Sequence, residues 1–361
     1  MPGFIEKIGD YVIREQPLEE IQQTVELPFN LCGVNPYGYF RSIRRFLAEL
    51  EGRPVGEGWV MASRHNPWGE LGHYAMFSEE HKRKGLGGRL LALCVDAMRD
   101  AGMDAMFVDT GPGVAHMIYG KYGFRDVVED HPEWMGQAYT GESILDYLSA
   151  YYGVDGEELD VQPLDAGHAI EIRALINGTV DPDCLVKNYL LGIFCDDQLH
   201  QGQIFVEVPN LSHGERRKVH MLGLFAGRKL VGFSTLAPWR TTKWDNGREA
   251  HIGLIDLYVH PSLWRSTAPG LLFDSMRGLA DEMGILVLRT LETPRETAKT
   301  DALIQQGFRV KYEMPEEVVL GEGTPVRGRH PSARLEDLAV YEVQFGRPRG
   351  FEHPHRMSSD P

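Results

Sequence analysis

Apolar residues recur at helical spacing over one stretch of the first half of the chain: Leu86, Leu90, Leu91, Cys94, Val95 and Met98. That period predicts an amphipathic helix over Gly87–Ala101, ended by Gly102. Around it the pattern changes to strands. Phe46–Met61 reads as a hairpin with a Gly-containing turn, His73–Phe77 as a buried strand, and Ala105–Val108 as a short strand. Val114–Tyr122 reads as a second helix, closed by Gly123. The second half shows the same succession. Val219–Ala226 and Lys229–Leu236 form a hairpin, Ile252–Val259 a strand, and Leu271, Leu272, Ser275, Met276, Leu279 and Met283 mark a helix ended by Gly284. Ile285–Leu291 is the next strand and Thr297–Gln306 the last helix, with strands at Arg309–Glu313 and Leu338–Phe345.

Three landmarks recur in order. The Gly52-Arg53-Pro54-Val55-Gly56 turn returns as Gly227-Arg228-Lys229-Leu230-Val231-Gly232, Gly85-Leu86-Gly87 as Ala268-Pro269-Gly270, and Gly123-Phe124 as Gly307-Phe308, at offsets of 175, 183 and 184 residues. A nearly constant offset points to two copies of one domain. Each copy is then α/β with a mixed sheet. The expected division is 1–140, a linker 141–158, a second domain 159–346 and a loose tail 347–361.

Composition narrows the function classes. Of 361 residues, 42% are hydrophobic and 25% charged, ordinary for a globular chain of one large or two medium domains. The formal net charge of −15 argues against a phosphate grip on nucleic acid and against anionic membrane surfaces. It leaves cationic partners such as amines open. No apolar run is long enough to span a bilayer, and the start shows no secretory signal. Cys32, Cys94, Cys184 and Cys195 are scattered without a Cys-x-x-Cys pair, so neither a disulfide framework nor a zinc site is expected. The expectation is a reduced cytoplasmic protein without a bound metal.

Candidate chemistry centres on Lys82-Arg83-Lys84-Gly85-Leu86-Gly87-Gly88, a basic, glycine-containing turn between a strand and a helix. Backbone N–H groups at a helix N-terminus, with the helix dipole behind them, form an anion site. Glycines let that backbone approach a phosphate closely. The third glycine of a Rossmann fingerprint is missing, since Leu90 stands there, and no P-loop, Gly-x-Ser-x-Gly elbow or His-Glu-x-x-His helix occurs. Taken alone, the turn reads sooner as an ordinary surface turn with solvated lysines.

The rest of the copy adds to that reading. Lys82-Arg83-Lys84-Gly85-Leu86-Gly87 together with Ile118-Tyr119-Gly120-Lys121-Tyr122-Gly123-Phe124 resembles the GCN5-related N-acetyltransferase (GNAT) family, with Lys82 in the place of the usual Arg or Gln. The likeness covers roughly residues 40–130. It implies a fold of two tandem GNAT-like domains, each a mixed β-sheet flanked by helices. It also implies acetyl-CoA or another acyl-CoA as co-substrate. The pyrophosphate is then expected on the backbone of Arg83, Lys84, Gly85, Gly87 and Gly88, with Lys82 assisting. A backbone N–H of Met76 or Phe77 would polarise the thioester carbonyl. By position, Tyr119 is the expected acid toward the departing thiolate, and Glu70 or His73 the expected base. His116, three residues before Tyr119, could orient it. Asn35–Phe40 and Arg64–Trp68 could line an acceptor pocket, or pack as loops on the core.

The second copy resembles the family in degenerate form. Arg265-Ser266-Thr267-Ala268-Pro269-Gly270 loses a donor to Pro269, and Leu303 replaces the tyrosine. The leading expectation is transfer of an acetyl group to a primary amine on a small molecule, by a monomer or homodimer. A non-catalytic acyl-CoA-binding scaffold, or transfer of a larger acyl or aminoacyl group, remains the alternative.

Overall fold

The computed structural model describes residues 5–24, 40–110, 113–128, 131–154, 156–164, 168, 170–172, 174–175, 220–243, 249–292, 297–320 and 334–344. Two mixed sheets, each flanked by helices, make up the α/β fold. The first contains β1 (Ile5–Ile8), β2 (Tyr11–Gln16), β3 (Phe40–Leu50), β4 (Arg53–Ser63), β5 (Trp68–Met76), β6 (Ala105–Asp109), β7 (Arg125–Val128) and β8 (His131–Ala138). Its strand order is β1-β2-β3-β4-β5-β6-β8-β7. Helix α1 (Leu18–Thr24) follows β2, α2 (Leu86–Asp100) crosses from β5 to β6, and α3 (Val114–Lys121) links β6 to β7. After α4 (Ile144–Tyr151), the second sheet is built from β9 (Leu159–Pro163), β10 (His220–Ala226), β11 (Lys229–Lys243), β12 (Glu249–Val259), β13 (Ile285–Glu292), β14 (Arg309–Leu320) and β15 (Arg334–Gln344). Helices α5 (Ala268–Glu282) and α6 (Thr297–Gln305) flank it.

Read from the other edge, the second sheet runs β9-β10-β11-β12-β13-β15-β14. That is the order of β2-β3-β4-β5-β6-β8-β7 in the first. In both, the only parallel pair among the described residues is the one bridged by the long helix, β5 with β6 and β12 with β13. Single hydrogen bonds repeat as well. Phe77 N–H donates to the Val55 carbonyl at 2.9 Å, and His260 N–H to Val231 at 2.7 Å. Phe124 N–H donates to the Tyr119 carbonyl at 3.2 Å, and Phe308 N–H to Leu303 at 3.1 Å.

Each long helix buries its apolar stripe on one sheet face. Leu86, Leu90, Leu91, Cys94 and Met98 of α2 pack with Val60, Leu71 and Met106. Phe273, Met276 and Ala280 of α5 pack with Leu236, Ile255 and Leu288. The third core joins the two halves, with Trp68, Phe107 and Trp134 of the first sheet, Ile144, Tyr147 and Leu148 of α4, and Leu224, Val231 and Tyr258 of the second sheet in one cluster.

Several elements run longer than the periodicity predicts. The strand expected at His73–Phe77 starts at Trp68. It is buried at Trp68–Leu71 and only partly covered beyond, because its neighbour has separated there. The stretch expected to be a plain linker contains α4, capped by the Ser143 hydroxyl accepting from Asp146 N–H at 3.1 Å. Trp68, read as lining an acceptor pocket or packing on the core, packs in the core: its indole donates to the Tyr147 hydroxyl at 2.8 Å. Asn35–Tyr39, three of the four cysteines (Cys32, Cys184 and Cys195) and the tail 347–361 lie outside the described residues.

Candidate active site

The site begins where two parallel strands part. Hydrogen bonding between β5 and β6 pairs Trp68–Leu71 with Ala105–Val108 and goes no further. Gly72 is an extra residue in β5, since Trp59 faces His73 while Val60 faces Leu71. Beyond it, β5 continues to Met76 bonded only to β4. Phe77 N–H is spent on Val55. Successive strand residues point their N–H groups to opposite edges. Met76 N–H therefore faces the opening left by β6, and Phe77 N–H does not. Of the two backbone donors expected at a thioester, Met76 alone is placed for it.

At the end of the opened strand stands the basic turn. Lys82, Arg83, Lys84 and Gly85 are exposed. Arg83 has φ +61° and Gly85 φ +83°. A left-handed Arg is strained, and alternating handedness in a turn aims consecutive N–H groups into one concavity. Gly85 is the N-cap of α2 and no side chain caps that end, so the first amides of the helix stay open to an anion. Lys82 is paired with Glu79, and Lys84 donates to the Tyr11 hydroxyl at 2.8 Å. Arg83 has no ion pair among the described residues.

Three tyrosines surround this helix end. A Cβ on Gly87 would stand 2.6 Å from the Tyr74 hydroxyl, and one on Gly88 2.5 Å from the Tyr122 hydroxyl. Burial, then the neighbouring Tyr122 and Cys94, push Tyr74 up to about 12, which keeps it a neutral hydroxyl. Tyr119 is 4% exposed, the buried residue of α3, with its ring centroid 5.8 Å from that of Tyr74 and 5.9 Å from that of Phe124. His116 bonds Asp126 through Nε2 at 2.6 Å. Cys94 is buried and its thiol pushed well up by desolvation, as an inert core residue should be.

The two base candidates separate in burial. Glu70 is 2% exposed, whereas the His73 side chain is 50% exposed at the rim of the opening. His73 Nδ1 lies 2.7 Å from Glu57 Oε1. Arg45 donates through Nε to Glu57 Oε2 at 2.8 Å, and its Nη1 donates to Gln16 Oε1 at 2.8 Å. Burial raises Glu57, but the bonds from His73 and Arg45 outweigh it, and the carboxyl lies below its ordinary value. Glu57 and Arg45 were not among the residues singled out from sequence. A Glu and an Arg twelve residues apart carry no motif; antiparallel pairing of β3 with β4 brings them together.

The second half differs at each corresponding point. Ser266 Oγ accepts from Ala268 N–H at 3.1 Å and Pro269 has no N–H, so two positions in the first turn of α5 offer no free amide to an anion. Its parted strands enclose a buried ion triad. Lys299 Nζ lies 3.0 Å from Asp256 Oδ1 and 3.1 Å from Glu292 Oε2, with side-chain exposures of 2%, 1% and 0%. Asp256 holds in β12 the register position of His73 in β5, opposite Thr235 where His73 faces Trp59.

The opened strand pair thus leads to a helix N-terminus that no side chain caps. Residues 16–124 match the family model described as the acetyltransferase (GNAT) family. No curated protein sequence matches the chain. Among solved structures, an acetyltransferase of the GNAT family from Streptococcus pneumoniae is similar, with 15% identity and a TM-score of 0.34, over 52% of this chain and 100% of that one. YncA of Salmonella typhimurium, solved with its cofactor acetyl-CoA, has 14% identity and a TM-score of 0.36, over 54% and 99%. An N-acetyltransferase from Staphylococcus aureus has 14% identity and a TM-score of 0.36, over 52% and 98%. No helix among the described residues is long and apolar enough to cross a membrane.

Proposed function

We propose that the first half of the chain is an acyl-CoA-dependent N-acyltransferase that moves an acetyl group from acetyl-CoA to a primary amine on a small molecule. The observation that carries this reading is the parting of β5 from β6 directly before the uncapped N-terminus of α2. The turn 82–88 offers amides for a pyrophosphate, and the opened edge of β5 offers peptide groups along an extended arm. Met76 N–H would stabilise charge on the thioester oxygen. The amine nitrogen attacks the carbonyl carbon and the C–S bond breaks. Tyr119, held against Tyr74 and Phe124, gives its proton to the leaving sulfur.

In this reading the second half is a duplicate that no longer binds acyl-CoA. The Ser266 cap, Pro269, Leu303 and the Lys299 triad each remove something the first half keeps. The few scattered cysteines support a cytoplasmic setting. Calorimetric titration of acetyl-CoA into wild type, Gly85→Glu and Ala268→Glu tests the assignment. One equivalent should bind to wild type and to Ala268→Glu, and none to Gly85→Glu. Loss of binding in Ala268→Glu instead would move the site to the second half. No binding to wild type would end the acyltransferase reading.

A further inference from the structure

We infer that Glu57 is a positioning residue that makes His73 the base of the reaction, through an Arg45–Glu57–His73 relay across three neighbouring strands. The inference rests on the acyl-transfer reading of the first half. It deepens that reading by choosing between its two base candidates and by adding a residue with no motif.

The bonding at Glu57 is directional. One carboxylate oxygen takes Arg45 Nε at 2.8 Å and the other meets His73 Nδ1 at 2.7 Å. Arg45 is itself fixed on Gln16 at 2.8 Å, on the strand beyond. A guanidinium clamped on a buried carboxylate keeps that carboxylate ionised, as its lowered pKa also indicates. An ionised carboxylate can only accept, so Nδ1 must donate. In the neutral ring the lone pair is then on Nε2, which has no bond among the described residues, on a side chain half open to solvent. This is the tautomer a base needs. Glu70, on the same strand, is 2% exposed, against the half-exposed His73 side chain. His73 stands two residues past the last β5–β6 pair, at the mouth of the opening, three residues from Met76 N–H.

The step balances as follows. Nε2 of His73 takes the proton from the attacking nitrogen as the C–N bond forms. The C–S bond breaks, and the sulfur receives the Tyr119 proton to give the free thiol. The imidazolium proton passes to water, and the phenol is re-protonated from water. In the imidazolium, Nδ1–H remains on Glu57, which offsets the new positive charge.

The test combines a spectroscopic with a kinetic readout. Nitrogen-15 spectra of histidine-labelled protein above pH 8 should show His73 as the Nδ1–H tautomer. Glu57→Gln should shift its Nδ1 resonance, with the melting temperature monitored and Glu57→Asp carried as a second variant. Thiol release from saturating acetyl-CoA, with water and with spermidine as nucleophiles, should fall at least about tenfold in Glu57→Gln, in kcat rather than KM. Its acetyl-CoA affinity should stay within about twofold, since the carboxylate touches no cofactor atom. In a His73→Ala background the same change should cost nothing further. An Nε2–H tautomer in wild type, or an equal penalty for Glu57→Gln in both backgrounds, overturns the inference. Failure of wild type to bind acetyl-CoA overturns the acyl-transfer reading itself, and the tautomer still decides whether the relay exists.

Discussion

The hydroxyl of Tyr74 occupies the space that a Cβ on Gly87 would need, 2.6 Å from it. The glycine in the first turn of α2 is therefore set by a neighbour as much as by an approaching phosphate. In an unconstrained helix, Gly87→Ala should stabilise by up to about 1 kcal/mol. Here the new methyl meets a phenol end held at a half-buried position. The expected outcome is a loss of thermal stability in Gly87→Ala, reversed when Tyr74→Phe is added. A coupling of roughly 1 kcal/mol between the two changes is anticipated, measurable as a double-mutant cycle from melting curves. Additive effects would show that the contact does not constrain the turn.

Lys299 is the sharpest difference between the two halves. Its ammonium lies between Asp256 and Glu292 with almost no exposure on any of the three side chains. Removing the cation leaves two carboxylates buried together. Lys299→Met should destabilise the second half by about 3–5 kcal/mol in urea unfolding, and Lys299→Met with Asp256→Asn and Glu292→Gln should recover part of that. Acetyl-CoA affinity should be unchanged in the triple variant if the ligand binds only in the first half. A gain of a second binding equivalent would show that the triad closes a competent cleft.

Local elements were legible wherever periodicity was strong. The stripe Leu86–Met98 gave α2 to within one residue at each end, and the Gly123-Phe124 and Gly307-Phe308 pairs mark real helix ends with matching hydrogen bonds. The duplicated strand order also agrees with the three recurring landmarks. What could not be read was anything created by strand pairing. Trp68 looked like a loop aromatic because its partners Tyr147 and Phe107 are distant in sequence. Glu57 and Arg45 belong to no motif in the sequence and meet only through the pairing of β3 with β4. Choosing Met76 over Phe77 as the backbone donor needed the hydrogen-bond phase of β5, which no side chain encodes.

Acid stability should show the same carboxylate. Glu57 has a folded pKa below its ordinary value of 4.5, so it binds its proton less readily when folded than when unfolded. Its stabilising contribution is then fully present above that ordinary value and disappears as pH falls through the lowered folded value. In Glu57→Gln the stability curve of the first half should be flatter than wild type below about pH 5, with the difference vanishing at the most acidic end. Urea midpoints followed by tryptophan fluorescence from pH 3 to pH 7 would measure it. A parallel displacement of the two curves at every pH would mean that the carboxylate charge is not what Arg45 and His73 stabilise.

Tyr119 offers the cleanest separation of chemistry from packing. Its ring is part of the first core, against Tyr74 and Phe124, whereas only its hydroxyl is assigned to the leaving sulfur. Tyr119→Phe keeps the ring and removes the acid. Melting temperature and acetyl-CoA affinity should therefore change little. Turnover at saturating substrates should fall by roughly 10²–10⁴, the usual worth of a positioned proton donor. A leaving group that needs no proton supplies the control: with an acyl thioester of an electron-poor aryl thiol, the deficit of Tyr119→Phe should shrink toward unity. If it persists at full size with such a thioester, the hydroxyl acts by packing or by orienting the acyl arm, and the proton to sulfur comes from elsewhere.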